Sequence, residues 1–116
     1  MATTNDGKNY MLDQLKTVAV KMRLLDDDMA EIQDHESAGQ DKDITWGDAT
    51  GGVLNMTNTP EFEIPGGTTV AAVSYRNTAG TTEYARDVIV EGERESYTND
   101  GTFTVTSASI TIADPD

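Results

Sequence analysis

The sequence predicts a mainly β, single-domain antiparallel β-sandwich, jelly-roll-like, with a short N-terminal helix. Three observations carry that expectation. Segments of period-2 alternation recur at spacings of about ten residues. Turn chemistry of Gly, Pro, Asn and Asp lies between them, as in Pro65-Gly66-Gly67, Asn77-Thr78-Ala79-Gly80 and Asn99-Asp100-Gly101. A chain of 116 residues is long enough for one core and too short for two. The expected division is an arm and helix over 1–16 and a sandwich over 17–113.

Residues 1–7 read as a disordered or extended arm. Tyr10, Met11, Leu12 and Leu15 then place one apolar stripe at helical spacing, with Asn5 or Asp6 available as the N-cap. A helix this short needs packing to persist. It either plugs one end of its own domain or docks on a neighbouring subunit through Tyr10, Met11, Leu12 and Leu15.

Val18, Val20, Met22 and Leu24 alternate with Ala19, Lys21 and Arg23 as a first strand, which Asp26-Asp27-Asp28 ends. From Asp26 to Asp43 eight acidic residues stand against one lysine, which reads as a long exposed loop; Met29, Ala30 and Ile32 could make one helical turn in it. Ile44 and Trp46 open a second strand, Gly47 to Gly52 turn the chain, and Val53 to Thr57 form a third. Phe62 and Ile64 alternate with Glu61 and Glu63. Pro65-Gly66 suits a type II turn joining that strand to Thr69–Tyr75 as a hairpin. Thr69–Tyr75 is apolar at both parities and should be covered on both faces. Tyr84 to Val90 alternate again, Glu91 to Glu95 form a charged corner, and Ser96 to Thr98 suit an edge strand. In the last segment Phe103 and Val105 share one parity and Ala108, Ile110 and Ile112 the other. A slip at Thr106-Ser107 is what a bulge, or a strand passing between sheets, produces. Asp114-Pro115-Asp116 falls outside the sheet.

Acidic residues number 21 and basic residues 8, for a net charge of −13 and an isoelectric point near 4.1. This surface repels nucleic acid and anionic membranes, since both are recognised through Lys and Arg. It fits either a hydrated chain kept apart by self-repulsion or a protein adapted to high salt, where exposed charges are screened within about 3 Å at 1 M. No apolar run of membrane-spanning length and no signal-peptide pattern is present, and there is no cysteine for a disulfide framework.

No catalytic constellation emerges. His35 stands between Asp34 and Glu36 in the acidic segment and reads as a solvated loop residue. The glycine pairs Gly51-Gly52 and Gly66-Gly67 read as turns, with no phosphate-binding fingerprint around them. Asp26, Asp27 and Asp28, with Glu31 or Asp34, are weak candidates for Ca²⁺ or Mg²⁺, because consecutive Asp side chains diverge and the EF-hand spacing is absent. No cofactor is expected. Trp46, Tyr75, Tyr84 and Tyr97 could form a sugar platform, but their apolar parity reads more economically as core.

Four stretches in order resemble a family of small virion proteins of tailed phages, often labelled tail-fibre or minor structural proteins. They are Gly7-Lys8-Asn9-Tyr10-Met11-Leu12-Asp13-Gln14-Leu15, Ile44-Thr45-Trp46, Phe62 to Val70, and Gly101 to Thr106. The similarity spans nearly the whole chain. It implies a non-enzymatic structural role in the virion. The chain departs from the family at the acidic segment after the first strand, which with the low isoelectric point suggests a virus of a halophilic archaeon. A compact domain without fibre repeats suits a capsid decoration or turret knob, trimeric or pentameric, better than a complete tail fibre. A tail-fibre or baseplate component, or a host-surface or glycan-binding module, is the alternative. The expected partners are other virion proteins, with no nucleic acid and no membrane, and the expected location is the virion surface.

Overall fold

A computed structural model describes residues 4–34, 36 and 38–112. His35 and the Asp114-Pro115-Asp116 tail lie outside the described residues. The chain is mainly β, with one N-terminal helix and antiparallel pairing throughout. Helix α1 spans Asn5–Leu15. The strands are β1 (Lys21–Leu25), β2 (Lys42–Asp43), β3 (Val53–Asn55), β4 (Glu61–Ile64), β5 (Thr68–Val70), β6 (Ala72–Arg76), β7 (Glu83–Val88), β8 (Glu95–Tyr97), β9 (Gly101–Thr104) and β10 (Ser109–Thr111). One four-stranded sheet has the order β2-β1-β6-β7, and β10-β3, β4-β9 and β5-β8 form three two-stranded ladders.

The helix begins earlier than the arm reading expects. Thr4 is the N-cap, its Oγ1 accepting from the amide of Gly7 at 3.2 Å, so residues 5–7 are already helical. Asn5 and Asp6 instead occupy the first turn. Leu12 is fully buried, and the Asn9 side chain accepts from the Gly52 amide at 2.9 Å, which fastens α1 beside β3.

The Pro-Gly-Gly stretch does not fold the chain back on itself. Glu61 faces Thr104 and Ile64 faces Gly101 in one ladder, while Thr68 faces Tyr97 and Val70 faces Glu95 in the other. Residues 65–67 and 98–100 intervene, three on each side, so the register passes through without a slip. Both chains kink together there. Pro65 has no amide to donate, the Gly66 amide is taken by Asp100 Oδ1 at 2.8 Å, and the Gly67 amide by the Tyr97 carbonyl at 2.6 Å. A Cβ on Gly66 would lie 2.8 Å from the Thr98 carbonyl oxygen, which explains glycine where two backbones pass so closely. Asn99-Asp100-Gly101 likewise marks the kink and not a hairpin.

Beyond this ribbon the same two segments pair again as β6 and β7, from Ala72 opposite Val88 to Arg76 opposite Glu83. One residue on the first side, Ala71, stands against six on the second, Ile89–Arg94, which loop out around a 3₁₀ turn at Glu91–Glu93. Residues 61–76 and 83–104 are therefore the arms of one long interrupted hairpin. Its tip is closed by Asn77, whose amide donates to the Thr82 carbonyl and whose Oδ1 accepts from the Thr81 and Thr82 amides. An arm of this length extends about 50 Å at about 3.3 Å per residue, which accounts for a longest dimension of 47 Å.

The two-faced burial expected of residues 69–75 is observed for 70–75, with Thr69 half-buried, and Ala71 divides the run into β5 and β6. β6 lies between β1 and β7, and Ala72, Val73, Ser74 and Tyr75 are all buried. Met22 faces Tyr75 and Leu24 faces Val73 across β1–β6. These four share a core with Phe62, Ile64, Val70, Ile32, Ile44 and Val105. Trp46 closes one side, its Nε1 donating to the Ala19 carbonyl at 2.8 Å and its ring 5.7 Å from that of Tyr75. The parity slip near Thr106 is a change of partner: the Val105 amide donates to the Pro60 carbonyl, Ala108 accepts from Met56, and β10 pairs with β3.

The acidic segment is structured where described. Asp26 Oδ1 accepts from the amides of Asp28 and Ala30, and the Asp26 amide donates to the Ala30 carbonyl. Eight residues later Asp34 repeats the pattern with Glu36 and Ala38. Ile32 between them is buried, and the Gln40 side chain both donates to and accepts from the backbone of Glu63. The helical turn considered for residues 29–32 does not form, and Met29 holds a left-handed φ of 59°. That conformation costs an L-residue about 1–2 kcal/mol, partly offset for glycine by its own flexibility. Met29→Gly should therefore raise stability by about 0.5 kcal/mol, read from the urea midpoint. A lower midpoint would mean that the packing of the half-buried Met29 side chain is worth more.

Candidate interaction surface

Alternation along β1, β6 and β7 sends one set of side chains to the core and the other outward. The outward set is polar in the middle of the sheet. Register places Lys21 beside Arg76 and Glu83, and Arg23 beside Ser74 and Arg86. The Arg23 guanidinium donates to both carboxylate oxygens of Asp41, at 2.7 and 2.9 Å, and lies 3.0 Å from Glu31. The hydrogen bond with Asp41 raises the Arg23 pKa above its ordinary value against the opposing effect of burial.

Glu83 is the second node. It accepts from the Ser74 hydroxyl and from Arg86 Nε at 3.0 Å, and lies 3.6 Å from Arg76, which itself donates to Ser74 Oγ and to the Gly80 carbonyl. Burial pushes the Glu83 carboxyl up. The hydrogen bonds from Ser74 and Arg86, with the charges of Arg86 and Arg76, outweigh it and hold the group below its ordinary value. A carboxylate depressed in the folded state contributes stability above its unfolded value, about 4.3 for Glu, and loses it as pH falls through the folded value. Glu83→Gln should therefore be most destabilising near neutral pH, with the gap from the parent closing below about pH 4. Urea midpoints from pH 3 to 7 at constant molar salt measure it; a pH-independent gap would refute the assignment.

β7 forms one edge of this sheet. The Ile89 amide donates inward to Ala71, so antiparallel alternation turns the amides of Arg86 and Val88 to the open side. Tyr84, Val88 and Val90 are 41%, 55% and 69% exposed, while Ala85 and Ile89 pack on the core. This corrects the reading of Tyr84 as a core residue. Tyr84 keeps the outward parity of Arg86 and Val88 along β7, while the shift of register next to Arg76 sets Glu83 and Tyr84 together opposite it and brings Glu83 onto the same face. Trp46 and Tyr97 are partly buried against the core, and Tyr75 is almost fully buried. The Tyr75 hydroxyl donates to Asp87 Oδ2 at 2.6 Å; burial and that bond keep it protonated far above its ordinary range.

The four residues proposed from sequence for docking separate. Tyr10 and Met11 are exposed, at 66% and 43%. Leu12 is enclosed by its own domain and Leu15 packs on the core, so neither presents a free side chain to a neighbour. The spacing of the stripe located the helix but could not divide its inner from its outer side.

Asp26, Asp27 and Asp28 do not converge. Asp26 caps its turn, Asp27 pairs with Arg94 at 3.0 Å, and Asp28 is exposed. Among the described residues no three His, Cys, Asp or Glu side chains could jointly hold a metal ion. No helix among them is long and apolar enough to cross a membrane.

Sequence reasoning missed the Arg23–Ser74–Arg76–Glu83–Arg86 face. Its signal was present in Arg23 between Met22 and Leu24 and in Ser74 and Arg76 at one parity, whereas Arg86 shares its parity with Tyr84 and Val88 and carries no such signal. Comparison of the chain with protein-family models, with curated proteins and with solved structures finds no match in any of the three.

Proposed function

We propose that this chain is a non-enzymatic structural component of a tailed-virus particle, a capsid decoration or turret protein forming an oligomeric surface knob. The observation that carries the reading is where the family-like stretches lie in the fold. Leu12 of the helix motif, Trp46, Phe62, Ile64 and Val70, and Phe103 and Val105 contribute to the packed interior, and Phe62 faces Phe103 across β4–β9. Motifs placed this way describe a scaffold and not a reactive site. The packing of Met22, Leu24, Val73 and Tyr75 with Phe62 and Ile64 supports a two-layered, jelly-roll-like reading of that scaffold.

The halophilic assignment rests on the −13 charge and on acidic residues tied into turns and ion pairs, such as Asp27 with Arg94 and Asp43 with Lys21. The knob would dock on other virion proteins with its acidic loops toward the medium. Mass spectrometry of purified particles, followed by imaging of a labelled chain on them, tests the reading. Detection on the capsid surface is expected. Absence from the particles would sink the proposal, and a position on the tail would move it to a fibre or baseplate role.

A further inference from the structure

We propose that the open edge of β7 pairs, antiparallel, with the β7 edge of a second copy of this chain, extending the four-stranded sheet across a two-fold axis. An unpaired edge offers a row of main-chain donors and acceptors, and proteins usually guard such edges with lysine, proline or short length. β7 has six residues, no lysine and no proline, and it is among the longest strands in the fold. Its exposed side chains include Tyr84 and Val88, with Val90 just beyond. On one strand these give an apolar margin beside a hydrogen-bonding edge that no strand among the described residues pairs.

Charge selects the occupant. Lys21, Arg23, Arg76 and Arg86 on and around the outer face, half of the chain's eight basic residues, are matched by Glu31, Asp41, Asp43 and Glu83. This face is locally neutral in a chain of net charge −13, so the excess negative charge lies elsewhere. Two copies of so acidic a protein repel at most approaches and less along this neutral face, with the one further carboxylate of β7, Asp87, on the opposite face where it accepts from Tyr75. A two-fold axis normal to the sheet keeps Tyr84, Arg86 and Val88 of both copies on the same face, where Tyr84 and Arg86 are suited to cross-copy contact. Such a contact is self-complementary and closes at two copies, so it would join knobs in pairs and not build the trimer or pentamer expected from sequence.

Sedimentation equilibrium of the full chain, in low salt and in molar KCl, tests the inference independently of any virus particle. A concentration-dependent dimer is expected, tighter in molar KCl because long-range repulsion is screened. Val88→Lys places a guard charge on the edge, and Val88→Pro removes an amide that points away from β6. Each should weaken the dimer at least about tenfold while leaving the circular dichroism of the monomer unchanged. If Val88→Pro disturbs the fold, Val88→Lys carries the test alone. Tyr10→Lys, on the exposed side of α1, should leave dimerisation intact. A chain that stays monomeric in both salts overturns the proposal, as does a dimer insensitive to Val88→Lys or abolished by Tyr10→Lys.

Discussion

Replacing Phe62 by alanine should cost about 3–5 kcal/mol, the largest loss expected from any single substitution here. Phe62 is fully buried, it sits opposite Phe103, and it shares the core with Met22, Leu24, Val73 and Tyr75. Its removal therefore loses transfer energy and also opens a cavity where the ribbon meets the four-stranded sheet. Neither side collapses easily, because Val105 and Pro60 continue the β4–β9 pairing on one flank and the Gly66–Asp100 bond pins the kink on the other. Against a typical total of about 5–15 kcal/mol for a domain, such a loss brings the variant near its unfolding threshold. Urea denaturation in molar KCl measures it. A loss below about 1 kcal/mol would mean that the ribbon is not packed on the sheet as described.

Arg23→Met comes second, with an expected loss of about 2–3 kcal/mol, discounted from the range for fully buried pairs because the side chain retains 19% exposure. Methionine keeps much of the aliphatic stem while removing the charge. Asp41 and Glu31 are then left close together without their shared cation, and the Asp41 oxygens lose two hydrogen bonds. The surroundings leave little freedom to rearrange. Gly80 is buried at φ +74°, and a Cβ there would lie 2.5 Å from Asp41 Oδ2 and 2.8 Å from Arg23 Nη2. The decisive comparison is Arg23→Met with Arg23→Met/Asp41→Asn: removing the orphaned charge should recover part of the loss. A double variant no more stable than the single one would assign the cost to packing instead.

The Arg23 cluster also shows why the long acidic segment misleads when read as sequence. Composition marks residues 26–43 as a solvated loop, since charge density is visible locally and partners are not. Arg23 precedes the segment on β1, and Arg94 reaches Asp27 from the far side of the chain. Asp26 and Asp34 were legible only as charges, although each organises a turn through backbone amides two and four residues on. Tyr84 failed for a different reason. Period-2 counting groups Tyr84 with Arg86, Val88 and Val90 but does not say which set is covered; Ala85 and Ile89 pack on the core and the Tyr84 set faces outward.

By itself the sequence determined the local states: extended segments where Phe62 and Ile64 alternate with glutamates, a helix around Leu12, breaks at Pro65-Gly66 and Asn77–Thr81, and, of the run Thr69–Tyr75 read as covered on both faces, the burial of 70–75. These follow from side-chain period and from backbone preferences acting over a few residues. Only the tertiary structure decided the pairing. Pro65-Gly66-Gly67 is compatible with a hairpin, yet β4 and β5 each find a partner more than twenty residues away, in β9 and β8. The physical reason is that main-chain donors and acceptors are the same in every strand, so partner choice is made by burial. Keeping the register of 61–70 against 95–104 puts Phe62 with Phe103 and carries Ile64 and Val70 into the common core. The kink that results is a feature of a long ribbon, and the edge that ribbon leaves open at β7 is where association is expected.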